Sequence, residues 1–311
     1  MTTVSQLKVG GANLPVSNLD KVFYPETGFT KGDVINYYIQ ISPFLLPHLK
    51  DRPITLKRYP EGAGGFFFYE KQCPGHRPKW MRTTRVAKSG GQIDYCLLND
   101  LPALVWAANL ADLEMHTFLH KAPAISRPTA VAFDLDPGPP ADIVACCRVA
   151  LALEEIFKSL KLQAFAKTSG SKGLQVYVPL NTPVTYERTK AFARGMAERL
   201  QEKSPELVVT RMQKSLRAGK VFVDWSQNDG HKTTVTVYSL RAKARPMVST
   251  PITWDEVETA AKKKNPKLLE FGPEAALKRA KKMGDLFAPV LTLKQKLPAA
   301  DSRNGEAENE P

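Results

Sequence analysis

Asp134 and Asp136 stand one residue apart in the run VAFDLDPGPP, residues 131–140. Side chains alternate between the two faces of an extended strand. Val131, Phe133 and Leu135 therefore share one face, and Asp134 and Asp136 share the other, behind Ala132. Two carboxylates roughly 7 Å apart along a strand repel and raise each other's pKa unless a cation lies between them. Mg²⁺ or Mn²⁺ would suit that place, because both take oxygen ligands from carboxylates and substrate phosphates. A solvated strand end before the DPGPP stop is the alternative, and a lone D-x-D does not choose between them.

A third carboxylate comes from VFVDWSQN, 221–228. Asp224 ends this β-rich run with Phe222 on its side, while Val221, Val223 and Trp225 point the other way. Three acidic residues on two strand ends can hold two metals for phosphoryl or nucleotidyl transfer. Taken alone, Asp224 also reads as an ordinary strand-end aspartate. The stretch KTSGSKGLQVYVPL, 167–180, adds a turn with Ser169, Gly170, Ser171, Lys172 and Gly173. Its glycines let backbone N–H groups face a phosphate, and Lys172 adds charge. It is not a Walker A loop: the G-x-x-x-x-G-K-[ST] order is absent and an alternating strand follows. A plain hairpin turn is the other reading.

Cations gather at Lys214, Arg217 and Lys220, and again at Arg241, Lys243 and Arg245. Lys57 and Arg58 accompany FFFYEK, which ends in Lys71. Cations beside aromatics suit a nucleic-acid strand, through phosphate neutralisation and base stacking. Core packing is the competing use of FFFY, and one or two of its rings are expected inside with one left for stacking. Lys21 and Lys31 flank the start of the first helix, where an anion is favoured, although solvated lysines are commoner. His116, in LEMHTF, follows an apolar helical pattern and reads as structural, and His231 reads as solvated.

The elements that must position these residues are mixed. Thr30 and Asp33 form a T-x-x-D capping signal before a helix over VINYYIQISPFLLPHL, with a break or kink expected near Pro43. Residues 54–59 and 92–98 read as strands and 102–113 as a helix. Helices are expected over ADIVACCRVALALEEIFKSL, RTKAFARGMAERLQEK and the basic PEAALKRAKKMGD, with strands on both sides of SGSKG. Without a strict βαβ rhythm, the fold class is α+β or mixed α/β around mixed sheets. One folded unit is expected over residues 1–293 and a disordered polar tail over 294–311.

With 311 residues, 43% of them hydrophobic, the chain can bury a full core. Its net charge of +13 favours a polyanionic partner, nucleic acid first. No apolar run approaches the roughly 20 residues a membrane helix needs, and MTTVSQLKVGG lacks a signal-peptide core. A cytoplasmic protein with no membrane role is expected. Cys73, Cys96, Cys146 and Cys147 form no C-x-x-C or zinc spacing, and all four are expected to be reduced.

Together the segments NLDKVFYPETGFTKGD, RPITLKRYP, FFYEKQ, LEMH, FDLDPG, KTSGSKGL, SLRAGKVFVDWSQN and YSLRA resemble the polymerase domain of bacterial DNA ligase D, in the archaeo-eukaryotic primase superfamily. Their order and number carry the resemblance over about residues 10–290. It implies an RRM-like catalytic sheet with an additional β-rich lobe and flanking helices. Asp134, Asp136 and Asp224 match the family's ligands for two Mn²⁺ or Mg²⁺ ions. Lys57, His116, Ser169, Lys172, Gln227 and Arg241 match positions that contact the NTP or dNTP, ribonucleotides being often preferred. On the DNA side, Arg217 matches an arginine beside the primer end, and Lys21 and Lys31 match lysines that hold a 5′-phosphate. Phe68 and Tyr69, followed by Lys71, match residues that stack near the template. The implied partners are 5′-phosphorylated gaps, nicks or broken ends, with a DNA ligase and an end-binding protein, in the bacterial nucleoid.

The turn motif often ends S-G-x-K-G-x-H, and here Gln175 takes the last place. Glutamine still donates a hydrogen bond but carries no proton charge, so rate, nucleotide affinity or pH profile is put in question. The sequence contains no ligase or nuclease module, and reads as a stand-alone polymerase or a piece of a larger protein. Two other functions stay open: a catalytically weak module that binds or bridges DNA ends, and a two-metal nuclease.

Overall fold

A computed structural model describes residues 4–88 and 90–299. The chain opens with two hairpins, β1 (Val4–Val9) with β2 (Ala12–Ser17) and β3 (Val22–Tyr24) with β4 (Phe29–Thr30), and then helix α1 (Lys31–Leu49). β5 (Pro53–Arg58), β6 (Phe68–Glu70), β7 (Thr83–Lys88), β8 (Gly91–Leu97), α2 (Leu101–Asn109) and β9 (Asp112–Thr117) follow. The second lobe begins with β10 (Ala130–Pro137), α3 (Ile143–Ser159), β11 (Phe165–Thr168), β12 (Leu174–Pro179), α4 (Tyr186–Lys203), β13 (Val208–Val209) and β14 (Val221–Asp224). The chain then returns through β15 (Thr234–Val235), the hairpin β16 (Leu240–Arg241) with β17 (Met247–Val248), and β18 (Pro251–Ile252). Helices α5 (Trp254–Lys263), α6 (Pro273–Met283) and α7 (Pro289–Thr292) complete it.

Two six-stranded sheets result. The first runs β15-β9-β5-β8-β7, with β6 paired to β5. The second runs β13-β14-β10-β12-β11-β18. Its element order β10-α3-β11-β12-α4-β14 and its inner strand order β14-β10-β12-β11 are those of a split βαβ sheet, the RRM-like architecture. The expected strand alternation sets its two faces. Val131, Phe133 and Leu135 join the core beneath α3 and α4, while Ala130 and Ala132 join the core of the first lobe. β15 and β18 stitch the lobes together, since successive short strands join opposite sheets.

Helix α1 starts where the capping signal puts it: Thr30 Oγ1 accepts from Asp33 N at 3.1 Å, and Asp33 Oδ2 accepts from Thr30 N at 2.8 Å. It does not end at Pro43. Pro43 and Pro47 lie inside one helix. Pro43 has no N–H for the Ile39 carbonyl, and Ser42 Oγ donates to that carbonyl instead at 2.8 Å. The helix expected over 102–113 stops at Asn109, where Ala111 turns the chain with a φ of 63° and β9 begins. His116 therefore sits on a strand. The cysteines also differ from expectation: Cys73 and Cys96 form a disulfide, while Cys146 and Cys147 are free and buried on α3. The first pair is brought together by the fold, 23 residues apart in sequence.

Of the expected tail, residues 300–311 lie outside the described residues. Within 294–299, the Gln295 N–H donates to Leu180 O and its side-chain amide to Pro179 O, both at 2.8 Å. Among the described residues no helix is long and apolar enough to cross a membrane.

Asp285, between α6 and α7, clamps the chain's last helices to α1. Its carboxylate accepts from Tyr238 OH at 2.8 Å and Phe287 N at 3.0 Å, and lies 2.7 Å from His48 Nε2. Burial pushes this carboxyl up, but the His48 contact and the Tyr238 hydroxyl outweigh burial and hold it below the ordinary value. A depressed carboxyl stabilises the fold above its unfolded pKa of about 3.9 and loses that contribution as pH falls through the folded value. Asp285→Asn is expected to lower unfolding free energy by about 2 kcal/mol at pH 7. In urea titrations that deficit should shrink at pH 3.

Candidate nucleotidyl-transfer site

The open face of the second sheet carries the acidic residues. Backbone pairing places Asp134 opposite Asp224 on β14 and opposite Gln175 on β12, with Asp136 opposite Phe222. Asp134 is half-buried and Asp136 exposed. Burial and the neighbouring Asp136 and Asp224 charges push the Asp134 carboxyl up to about 7, against the hydrogen bond from Gln175. Asp136 is raised too, by burial and Asp224, with Arg217, Arg241 and Lys172 pulling the other way.

Asp224 is already engaged. Its Oδ1 accepts from Ser226 N at 2.9 Å and from the Ser226 hydroxyl, and its Oδ2 from the Gln227 amide at 3.1 Å. It thereby caps the turn 225–227. Among the described residues no three His, Cys, Asp or Glu side chains are gathered into a ready metal cluster. The donor set nonetheless fits hard divalent cations: all three groups are carboxylates on two neighbouring strands, and Asp224 Oδ2, with one hydrogen bond, keeps a further lone pair. The unrelieved repulsion between Asp134 and Asp136 is what such cations would relieve.

The SGSKG turn folds around its first serine. Ser169 Oγ accepts from Ser171 N and Gly173 N, both at 3.2 Å, and Ser169 N donates to Gly173 O. Two of its positions require glycine. Gly170 has a φ of 65°, and a Cβ on Gly173 would sit 1.9 Å from Leu135 O. The turn is thus pressed onto the strand that carries the aspartates. Arg241 donates to the Ser169 carbonyl and ties the turn to β16.

A cavity of about 680 Å³ opens between these groups. Asp134, Asp136, Ser169, Lys172 and Gln227 line it from the second sheet. His116, Arg241, Tyr69 and Lys71 line it from the other side. Lys57 stands behind this wall, with Nζ 3.2 Å from Glu114 and 4.6 Å from the Phe67 ring centroid. Gln175 and Lys232 also line it, as does His231, which is exposed as the sequence suggests.

The DNA-side candidates lie outside this cavity, apart from Tyr69 and Lys71. Lys31 N donates to Lys21 O, so the two lysines are neighbours at the start of α1. Burial, and then Lys21 and Arg58, push the Lys31 ammonium down to about 8. Lys21 is bound to Glu61 at 2.7 Å. Arg217 lies over the Phe222 ring at 3.7 Å. The aromatic run differs from expectation: none of its four rings is buried. Phe66, Phe67 and Tyr69 are exposed and Phe68 is half-buried under Arg58, because β6 is an edge strand paired only with β5.

Three supporting residues went unread in the sequence. Asn228 is fully buried and its side-chain amide exchanges two hydrogen bonds with the Ala132 backbone, at 2.9 and 2.7 Å, extending the ladder beyond the end of β14. Lys167 is fully buried, donating to Ser249 Oγ at 2.7 Å and Val235 O at 3.1 Å; burial pushes it down to about 7, and Asp134 pulls it back. Glu114 is held well below the usual carboxylate range: burial opposes this, but the bond from His116 and the charges of Arg241 and Lys57 outweigh it.

An RRM-like sheet with carboxylates on its open face, a glycine turn carrying Lys172 and a cavity lined by further cations mark a domain of the primase-polymerase class. The family profile described as LigD, primase-polymerase domain, matches residues 30–287. The chain belongs to this family, and membership implies a nucleotidyltransferase. It is 39% identical over 277 residues to a multifunctional non-homologous end joining protein LigD of Mycolicibacterium smegmatis, covering 88% of this chain and 36% of that protein. It is 31% identical over 275 residues to a bifunctional non-homologous end joining protein LigD of Bacillus subtilis, covering 88% of this chain and 43% of that one. The chain thus spans well under half the length of these relatives. The polymerase domain of Mycobacterium tuberculosis ligase D, solved in complex with DNA, superposes with a TM-score of 0.84 at 37% identity, over 91% of this chain and 99% of that one.

Gly173→Ala forces a methyl group into the Leu135 carbonyl. We expect a loss of about 1–3 kcal/mol in stability, read by thermal unfolding, whereas Gly195→Ala, inside α4 with nothing within 4 Å, should stabilise by about 0.5–1 kcal/mol.

Proposed function

We propose that the chain is a metal-dependent, DNA-directed nucleotidyltransferase. It adds nucleotides, ribonucleotides by preference, to primed 5′-phosphorylated gaps or broken ends during non-homologous end joining. The observation that carries this reading is the register that sets Asp134 and Asp224 side by side, with Asp134 and Asp136 lining a cavity that the SGSKG turn also lines.

In this reading Asp134, Asp136 and Asp224 hold two Mn²⁺ or Mg²⁺ ions. When bound, such ions activate the primer 3′-OH and neutralise charge on the triphosphate and the departing pyrophosphate. The protein's own groups do the rest. Lys172, Arg241 and Lys57 offset triphosphate charge, while the N–H groups of Ser169, Ser171 and Gly173 are spent on bonds that shape the turn. His116 and Gln227 orient the nucleotide. Lys21 and Lys31, with Arg58 nearby, take the 5′-phosphate beyond the gap. Arg217 stands beside the primer end, and Phe68 and Tyr69 stack at the template. Gln175 stands opposite Asp134 in the ladder and donates to Thr234 Oγ1 at 2.9 Å. A neutral side chain there supports the carboxylate without adding a charge that titrates near neutrality. A DNA ligase would seal the filled product.

Labelled gapped DNA with Mn²⁺ and nucleotides separates the possibilities. Extension supports the proposal, shortening supports a nuclease, and tight binding without extension supports an end-binding module. Asp136→Ala should abolish extension while DNA affinity stays within about three-fold of wild type; full activity in that variant would refute the proposal. Lys31→Met should cost about ten-fold in affinity for a gap with a 5′-phosphate and much less for one with a 5′-hydroxyl, measured by fluorescence anisotropy.

A further inference from the structure

Glu114 lies on β9, two residues before His116, and is 2% exposed. Its Oε2 lies 3.2 Å from Lys57 Nζ, 3.2 Å from His116 Nε2 and 3.3 Å from Arg241 Nε. Its Oε1 accepts from Tyr59 OH at 3.2 Å and from the Ala242 N–H at 3.0 Å. A single buried anion thus ties β5, β9 and β16 together behind the cavity wall. A carboxylate so deeply buried is costly unless many partners satisfy it, and here five groups converge on its two oxygens.

The partners identify its task. His116 and Arg241 line the cavity, and Arg241 also donates to the Ser169 carbonyl of the SGSKG turn. Lys57 reaches from Glu114 over the rings of Phe67, Tyr59 and Tyr69, at 4.6, 5.2 and 5.5 Å from their centroids. Without the anion, Lys57 and Arg241 would face one another as like charges at close range and separate. The aromatic run would then lose the cation it is packed around.

We propose that Glu114 is the positioning residue of the nucleotide subsite, holding His116 and Arg241 in the cavity wall with Lys57 directly behind them, so that the three act on the triphosphate together. Glu114 itself touches no substrate. The inference rests on the reading that these three residues contact the nucleotide.

Simple charge balance predicts the opposite outcome for a substitution. Removing a negative charge beside a triphosphate site would tighten binding if Glu114 were mere ballast. Glu114→Gln keeps the volume and removes the charge. With gapped DNA, Mn²⁺ and ATP, it should raise KM for ATP about ten-fold or more, with kcat within about three-fold and DNA affinity unchanged. Glu114→Asp, which keeps the charge one methylene back, should fall between. It carries the same KM test if Glu114→Gln does not fold. An unchanged or lower KM in both variants overturns the proposal, as does a fall in kcat with KM intact, the signature of a purely structural residue. A wild-type chain that adds no nucleotide would instead overturn the functional reading on which the proposal stands.

Discussion

Backbone pairing holds Asp134 opposite Asp224 regardless of what their side chains prefer. Antiparallel neighbours bring side chains within about 5 Å, so register alone concentrates negative charge on one face of the sheet. Keeping it there is the work of the opposite face. Val131, Phe133, Leu135 and Val223 are fully buried beneath α3 and α4 and cannot slip by one residue without exposing the core. Asn228 continues the ladder where β14 ends, and Gly173 lets the SGSKG turn press against Leu135. The acidic cluster is thus a strained arrangement held by an apolar core.

The first sheet answers with the opposite sign. Lys57, Arg241 and His116 are drawn onto Glu114, and Lys31 is buried beside Lys21 and Arg58. Each lobe thus carries charge that it does not balance by itself. The lobes share the cavity, and β15 and β18 prevent them from drifting apart. A triphosphate with divalent cations would complement both walls at once, negative oxygens toward the lysines and arginine, cations toward the aspartates. The exposed Tyr69 ring of β6 lines the same cavity, a sequence-tolerant surface for a base.

Much of this was legible in the sequence because it depends on local rules. Strand alternation separated Asp134 and Asp136 from Val131, Phe133 and Leu135. Thr30 and Asp33 announced the first helix, and the glycines of SGSKG announced a tight turn. What was not legible depends on distant partners. Glu114 pairs with Lys57, 57 residues away, and with the Ala242 N–H, 128 residues away. Cys73 meets Cys96 because the segment after β6 runs alongside β8, with Cys73 N donating to Asp94 O at 2.7 Å. LEMHTF was misread because a short apolar run has no period long enough to separate strand from helix. FFFY was expected to be partly buried because its composition is that of a core, whereas its place on an edge strand is a fact of topology. Pro43 failed to break α1 because a neighbouring serine supplied the missing donor.

The central claim is that Asp134, Asp136 and Asp224 act together as one cation-holding site. Electron paramagnetic resonance of Mn²⁺ titrated into the chain with nucleotide tests it without requiring turnover. The account predicts Mn²⁺ retained by the wild-type chain and released by Asp134→Asn and Asp224→Asn alike. Equal Mn²⁺ retention in wild type and both variants would contradict it.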